Sequence, residues 1–474
     1  MKKISKKISN NLGICALIAS GTFLYTPSVL SIPITFTVAS DGNTPEAAVA
    51  NALRNPNNTG VCGTIRATTN PSSDQLHMLT LCDALDAVTE AQTGPAYTAL
   101  SARSITSLTS FTANSFISSM NIGDIAKRLA ALRRSAANST KLNTASLNSG
   151  TPLSDMAALY ANGRTGGGAS ADTAPTKNTS ENDDGGLNDN RLSAYISAST
   201  SDADQTETST LAGYESSVAS FLVGLDYRFS HNMFAGMAIK TLSGDIDLDK
   251  NTGTVDVTNN SLSLYASYYP SENTYLQTAL TAGQGSFDIT RRMDFTLNNI
   301  AFSEIAKSSP DGSGYSFNLS GGYDYYFTGT GISTVTDITL GYASADIDEF
   351  DESGAQGFNL TVAEQSIESM TSKVGIQISK SISTPFGVIL PEFGASWTHE
   401  FKADGEDIVA AFTIDPANAF RFTTDERDSD FFVLSLATSV ILSHGVMGYI
   451  QYEKVFDITD YDVGTLNIGA RIEF

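Results

Sequence analysis

The sequence predicts an all-β fold, a twelve-stranded antiparallel transmembrane β-barrel preceded by an α-helical segment able to plug its lumen. Three observations predict it. From Arg191 to the C-terminus, apolar and polar residues alternate with a period of two. No apolar run reaches the roughly 18 to 20 residues that a membrane-spanning helix needs. The predicted strands are joined alternately by short and long connections, as in barrels with tight turns on one side of the membrane and extended loops on the other.

The twelve predicted strands are placed by this alternation. In one of them Ala219, Phe221, Val223, Leu225, Tyr227 and Phe229 form an apolar face, and Ser220, Leu222, Gly224, Asp226 and Arg228 form the other face. The predicted ranges are about 192–200, 217–230, 233–245, 257–269, 274–289, 314–327, 332–346, 366–382, 388–402, 430–443, 446–456 and 463–474. Acidic residues concentrate in the long connections, which predicts a negative outer rim.

The last predicted strand ends the chain on alternating apolar residues and an aromatic residue. Ala470, Ile472 and Phe474 share one face. An exposed flat strand is an aggregation template in a soluble domain, whereas the last strand of a barrel closes against the first. We expect these three residues to be the signal that the barrel-assembly machinery engages by strand pairing. Deletion of Phe474 should therefore lower the outer-membrane yield.

The N-terminus has the pattern of a secretory signal peptide, which we place at residues 1–39. Lys2, Lys3, Lys6 and Lys7 precede an apolar stretch from about Leu12 to Tyr25 that is too short to cross a bilayer. The cleavage point stays open between two imperfect sites, Val29-Leu30-Ser31 and Thr37-Val38-Ala39. After cleavage Cys62 and Cys82 remain, and in an oxidising compartment we expect them to pair; two unpaired thiols are the alternative.

Residues 40–137 are predicted to be a short, partly helical passenger or pre-barrel region. Ser40 to Asn70 shows no sustained period and is predicted to be mostly irregular. Ser73 and Asp74 then provide an N-cap and a first-turn acid for a helix. A later stretch from Ile122 to Leu132 is amphipathic. Residues 138–190 are rich in Ser, Thr, Asn, Gly and Asp and are predicted to be a flexible linker, and 191–474 form the barrel domain.

Several short motifs in the barrel domain resemble a known family. They are Gly224 to Phe229, Glu352-Ser353-Gly354-Ala355, the stretch from Ser366 to Val374-Gly375, Leu390-Pro391, and Trp397-Thr398-His399-Glu400-Phe401. Their order resembles that of the autotransporter β-domain, the translocator barrel of type V secretion. Leu81 to Leu108 also looks like the helical stretch that often precedes this domain.

The resemblance implies a twelve-stranded barrel threaded by a helix that leads from an exported passenger. The chain departs from the family pattern before Arg191, where no repetitive strand pattern of a β-solenoid passenger occurs. The resemblance therefore implies an outer-membrane autotransporter that exports or displays a small N-terminal segment. The alternative is an outer-membrane pore or surface protein whose N-terminal region stays periplasmic or lumenal.

The sequence gives little support for catalysis, and we expect no enzyme and no cofactor. Gly-x-Ser-x-Gly is absent, and the four histidines, His77, His231, His399 and His444, are not clustered as a zinc site requires. Trp397 and His399 are predicted to belong to an aromatic girdle rather than to a catalytic His399–Glu400 pair. Alternating Asp245, Asp247 and Asp249 lack the glycine and distal glutamate of a calcium loop.

The net charge of -23 argues against nucleic acid as a partner. The expected partners are outer-membrane lipid, the barrel-assembly machinery and periplasmic chaperones, with a host surface as a further possibility. The expected location is the outer membrane of a Gram-negative bacterium, with extracellular loops.

Overall fold

The computed structural model describes residues 38–41, 44–54, 60–112, 191–230, 232–271, 273–327, 329–442 and 446–473. The predicted signal peptide up to residue 37, the amphipathic stretch from Ile122, the predicted linker and Phe474 lie outside the described residues, as do His231 and His444. None of the helices in the described ranges is both long and apolar enough to span a membrane.

Twelve long antiparallel strands close into a barrel, which confirms the predicted fold class. The last strand pairs with the first from Tyr461 opposite Gln205 to Glu473 opposite Ser193. The barrel strands are β2 (Leu192–Gln205), β3 (Tyr214–Ser230), β4 (Met233–Leu248), β5 (Gly253–Tyr268), β6 (Thr274–Leu297), β8 (Asp311–Phe327), β9 (Ile332–Ile347), β12 (Gln365–Lys380), β14 (Gly387–Glu400), β17 (Asp430–Leu442), β18 (Met447–Phe456) and β19 (Tyr461–Glu473). A short strand, β13 (Ile382–Thr384), pairs with β14.

The alternation along each strand separates a lipid-facing surface from the lumen. In β3, Val223, Leu225 and Tyr227 are exposed, whereas Gly224 and Asp226 between them are buried. The inward face elsewhere carries small and polar side chains such as Ser263, Ser267, Asn318 and Asn467. An apolar exterior around a polar interior is the arrangement of a transmembrane barrel.

Several strands extend farther than predicted at the rim that carries the longer loops, which we call the outer rim. β4 and β5 stay paired up to Leu248 opposite Gly253, so Asp245 and Asp247 lie in a strand and not in a loop. β6 continues to Leu297 and turns back into β7 (Ile300–Ser308). The prediction ended these strands early because it followed apolar alternation, whereas backbone pairing continues beyond the apolar band.

A second, five-stranded sheet stands above the outer rim, and we call it the loop sheet. Four of its strands come from long connections: β10 (Phe350–Asp351), β11 (Leu360–Val362), β15 (Asp407–Phe412) and β16 (Ala419–Thr423). The fifth, β1 (Val38–Asp41), belongs to the N-terminal segment and pairs in parallel with β16. The sheet therefore joins parts of the chain that are nearly 400 residues apart, as Val38 opposite Ala419 shows.

Five helices follow β1 and form, with it, the part that we call the N-terminal domain. They are α1 (Pro45–Leu53), α2 (Val61–Arg66), α3 (Ser73–Asp86), α4 (Gly94–Leu100) and α5 (Arg103–Phe111). The prediction that Ser40 to Asn70 is mostly irregular is wrong, because α1 and α2 lie there. Thr44 caps α1 by accepting a hydrogen bond from the Ala47 amide, and Pro45 at the first helical position favours the helix start.

One continuous apolar core connects the N-terminal domain, the loop sheet and the upper barrel wall. Leu53, Leu81 and Phe111 from the helices belong to the same buried cluster as Phe420 from the loop sheet and Phe287 from the barrel. The described helices therefore have no separate core of their own.

Candidate functional site

The candidate functional site is the outer rim, where the N-terminal domain covers the mouth of the barrel. Helix α1 packs on β16 of the loop sheet, α3 packs on the turn Gln356–Phe358, and α4 packs on the β6 strand. The sequence predicted a helical plug of the lumen without identifying which helix forms it. The structure places the described helices above the mouth, and only the end of α5 reaches the lumen.

Helix α5 is fastened to the loop between β2 and β3 by its hydroxyl groups. The Thr106 Oγ1 atom donates to the Thr210 carbonyl oxygen at 2.7 Å, and the Ser107 Oγ atom donates to the Ala212 carbonyl oxygen at 2.9 Å. Deeper in the mouth, Thr109 donates to the side chain of Gln365 on the opposite wall. Because these hydroxyls are buried, each bond satisfies a polar group that would otherwise be costly to bury.

An ionic cluster at the start of α5 adds to this attachment. The Arg103 Nη1 atom lies 2.8 Å from Glu207 Oε1 in the β2–β3 loop, and its Nε atom lies 2.6 Å from Glu46 Oε1 of α1. Lys250 approaches the other oxygen of Glu207 at 2.6 Å. This Lys250 hydrogen bond, with the charge of Arg103, holds the pKa of Glu207 below its ordinary value.

Helix α3 lies unusually close to the turn that contains Gly357. A Cβ atom built at Gly357 would stand 2.3 Å from the Asp74 carbonyl oxygen and 3.2 Å from the Met78 Cβ atom. Next to this contact the His77 ring lies between Phe302 and Phe358, with centroid distances of 6.1 and 4.9 Å. The close approach therefore depends on a residue without a side chain at position 357.

The motif residue Glu352 forms a buried ion pair that shapes the same turn. Arg291 contacts it with two nitrogens, Nε to Oε1 at 2.8 Å and Nη2 to Oε2 at 2.5 Å, and Nη2 also donates to the Phe358 carbonyl oxygen. The Leu360 amide donates to Glu352 Oε2 at 2.9 Å. The neighbouring Gly354 has a φ of +98°, which favours glycine. The sequence does not predict this pair, because Arg291 and Glu352 stand 61 positions apart and leave no local pattern.

In the motif Trp397-Thr398-His399-Glu400-Phe401, the side chains that belong to β14 lie alternately on its two faces. The Trp397 Nε1 and His399 Nδ1 atoms each lie 3.0 Å from Asp430 Oδ1, and the His399 ring stacks edge-on against Phe401. Glu400 faces the lumen and accepts a hydrogen bond from Ser369 Oγ at 2.5 Å. His399 and Glu400 thus have separate partners on opposite faces of the strand, and the structure does not bring them together as a pair.

A cavity of about 790 Å³ occupies the outer half of the lumen beneath α5. Its wall includes Thr109 and Ser110 from α5, and Lys240 and Arg427 are among the basic lining residues. The acidic lining residues are Glu400, Asp404, Glu406, Asp425, Glu426, Asp428, Glu453 and Asp460. Burial raises the pKa of Glu406 despite the opposing effect of Arg427. The mouth is therefore acidic.

Buried tyrosines line part of the wall in the inner half of the lumen, a feature not predicted from the sequence. Tyr195, Tyr265 and Tyr275 are buried in one cluster, and the Tyr265 hydroxyl donates to Asp226 at 2.5 Å. Each ring lies over a glycine of a neighbouring strand, as Tyr195 does over Gly224. These contacts could have been predicted from the inward-facing glycines in the sequence, because a glycine leaves room for a tyrosine ring from the adjacent strand.

The remaining predicted site residues lie outside the mouth. Cys62 and Cys82 form a disulfide between α2 and α3, with Cα atoms 5.7 Å apart. Ala470 and Ile472 are exposed on the lipid-facing side of β19. In the described residues no group of three or more His, Cys, Asp or Glu side chains is arranged to hold a metal ion.

Comparison with known proteins identifies the family to which this barrel belongs. The model of the autotransporter β-domain matches residues 194–453, more than half of the chain. The chain is a member of the autotransporter β-domain family, an outer-membrane translocator barrel, as the sequence motifs predicted.

Among curated proteins, outer membrane protein A of Rickettsia conorii is 26% identical over 220 residues, which are 45% of this chain and 11% of that protein. Outer membrane protein B of Rickettsia japonica is 29% identical over 172 residues, 35% of this chain and 10% of that protein. The matched part of the chain thus spans about a tenth of the length of these relatives.

Two solved structures are also similar. The translocator domain of the autotransporter NalP from Neisseria meningitidis has a TM-score of 0.49 and 14% identity, covering 61% of this chain and 90% of that one. The β-domain of the Bordetella autotransporter BrkA has a TM-score of 0.45 and 15% identity, covering 60% of this chain and all of that one.

Proposed function

We propose that this protein carries its own N-terminal domain across the outer membrane and keeps it attached at the cell surface. The observation that supports the proposal is the position of the N-terminal domain at the rim with the longer loops, which in transmembrane barrels is the extracellular rim. The barrel is thus both the transporter and the anchor of a small surface domain.

The connectivity supports the same proposal. The described N-terminal domain ends at Thr112, at the outer mouth, and the description resumes at Arg191. Arg191 lies at the opposite rim, because its carbonyl oxygen accepts a hydrogen bond from the Arg228 amide near the short turn after β3. The two described residues that flank this gap therefore lie at opposite rims of the barrel.

The proposed domain boundaries follow the prediction closely. The prediction placed the signal peptide at 1–39, the N-terminal region at 40–137, the linker at 138–190 and the barrel at 191–474, and we move only the end of the signal peptide, to before Val38. The parallel pairing of Val38–Asp41 with β16 adds the last residues of the predicted signal region to the surface domain. We propose no enzymatic activity for this domain; its described side chains serve packing and attachment.

Transport in this proposal is vectorial folding without nucleotide or metal. The barrel-assembly machinery inserts the barrel, and the N-terminal chain then passes through the lumen to the surface. The acidic cavity and the polar inner face of the strands offer this chain a hydrated path. Periplasmic chaperones and outer-membrane lipid are the other partners, and a host surface is a further candidate.

The test is access to the N-terminal domain on intact cells. An epitope inserted after Asn70, in the turn between α2 and α3, is expected to bind a specific antibody without permeabilisation of the outer membrane. A control epitope in the short turn at Ser271, on the periplasmic rim, is expected to bind only after permeabilisation. An Asn70 epitope that also needs permeabilisation would support the alternative of a pore or surface protein with a periplasmic N-terminal region.

A further inference from the structure

The outer loops of this barrel are joined to one another by backbone pairing that involves no residue of the N-terminal domain. Strands β10, β11, β15 and β16 pair with one another in an antiparallel ladder. The buried Arg291–Glu352 pair fixes the turn at Gln356–Phe358 from below. The barrel thus presents an ordered surface whose parts all come from residues after 191.

The N-terminal domain, in contrast, is incomplete without this surface. The side chains of Leu53, Met78 and Ile105 are fully buried, and they share one cluster with Phe358 and Phe420 of the outer loops. A segment of this size seldom sustains a core alone and usually needs additional staples. Its disulfide ties α2 to α3 only, so α1, α4 and α5 are held by packing and by ion pairs such as Arg103–Glu46.

The contact between the two parts is specific in shape and in polarity. Gly357 admits the Asp74 carbonyl oxygen at a distance that a Cβ atom would forbid. The Asn418 amide nitrogen donates to the Thr64 hydroxyl at 3.2 Å, and Thr106 donates to the Thr210 carbonyl oxygen. β1 adds in parallel to the edge of the loop sheet, beside β16, with a register shift between Val38 and Ser40.

From these observations we infer that the outer loops are the folding template of the N-terminal domain. The exported chain acquires its fold by docking on the ladder and the turn that the barrel already presents. The inference rests on the proposed function, since it requires the N-terminal domain to reach the outer rim. It adds a second role for the barrel: its loops complete the core of the domain that its lumen delivers.

The test compares two glycine substitutions in the full-length protein on intact cells carrying the Asn70 epitope. Gly357→Ala places a methyl group against the Asp74 backbone, whereas Gly94→Ala, at the start of α4, meets no atom within 4 Å. Three quantities are measured: antibody binding, the rate of cleavage of the N-terminal domain by added protease, and the heat-dependent gel shift of the barrel. Gly357→Ala is expected to raise the cleavage rate at least tenfold with antibody binding and gel shift unchanged. Gly94→Ala is expected to match the wild type.

A second variant tests whether faster cleavage could result from a defect in barrel assembly. Thr106→Val changes only the N-terminal domain and removes the bond to the Thr210 carbonyl, so it leaves every barrel strand as it is. It is expected to raise the cleavage rate several-fold. If both Gly357→Ala and Thr106→Val are cleaved as slowly as the wild type while the epitope is accessible, the template inference is wrong and the proposed function stands. If the wild-type epitope is inaccessible, both are wrong.

Discussion

Arg291 and Glu352 show how one buried pair can organise a surface loop. Removal of one partner of a buried ion pair leaves a charge without compensation and costs about 3 to 5 kcal/mol. Arg291→Met is therefore expected to lower the free energy of unfolding of the turn at Gln356–Phe358 by about that amount. The measurement is urea-dependent proteolysis of this loop in the detergent-solubilised protein.

The control for this variant is an exposed pair in the same region. Arg421 lies 3.9 Å from Asp407, with both side chains about half exposed. Exposed pairs of this kind contribute about 0 to 1 kcal/mol, so Arg421→Met is expected to have little effect. Equal sensitivity of the two variants to urea would contradict the assigned role of Arg291.

The lowered pKa of Glu207 predicts how the attachment of α5 depends on pH. The Lys250 hydrogen bond holds the pKa of Glu207 below its ordinary value of 4.5 in the folded protein. The ionised Glu207 carboxylate therefore stabilises the attachment fully above pH 4.5. This stabilisation is lost as the pH falls through the lower pKa that Glu207 has in the folded protein. Protease resistance of the N-terminal domain should decrease in this acid range, and the decrease should be smaller in Glu207→Gln. Superimposable pH profiles for the two proteins would exclude this role.

At the residue scale, the sequence identified Glu352 and Glu400 through a family motif but not their partners. Glu352 pairs with Arg291 and Glu400 with Ser369, and the second pair spans 31 positions. A single sequence shows the type of each residue, but the hydrogen-bond partner of that residue depends on the register of the strands. The Cys62–Cys82 bond could be anticipated because only two cysteines follow the predicted signal peptide.

At the scale of the element, the tyrosine–glycine contacts connect neighbouring barrel strands. A Cβ atom at Gly224 would stand 2.3 Å from the Tyr195 ring of β2, whereas one at Gly448 would come no closer than 3.8 Å to another atom. Gly224→Ala is expected to displace the Tyr195 ring and to reduce the yield of assembled barrel several-fold, with Gly448→Ala near the wild type. Heat-dependent gel migration of outer-membrane fractions measures both. Equal yields would show that the ring contact does not influence assembly.

The barrel strands could be predicted because their environment imposes a local pattern. Lipid on one face and a polar lumen on the other require alternation, which Val223, Leu225 and Tyr227 display. The loop sheet could not be predicted in this way. Its strands are two to six residues long, and β1 pairs with a strand that lies almost at the other end of the chain.

At the scale of the whole molecule, the barrel and the N-terminal domain form one structure with a continuous core above the membrane. The predicted passenger is small, and most of what surrounds it belongs to the barrel's own loops. The described helices lie over the mouth, and the helix expected to thread the lumen is not among them. In the proposed function, these contacts with the loops hold the domain at the surface.

The most direct test of this account is a cross-link between the N-terminal domain and an outer loop on intact cells. Arg103→Cys in α5 and Glu207→Cys in the β2–β3 loop replace side chains that are in contact and stand 104 residues apart in sequence. A bifunctional maleimide that cannot cross the outer membrane is expected to join them and to produce a faster-migrating band under denaturing conditions. A cross-link that forms only after permeabilisation, or never forms although both cysteines react singly, would contradict the surface attachment of the N-terminal domain.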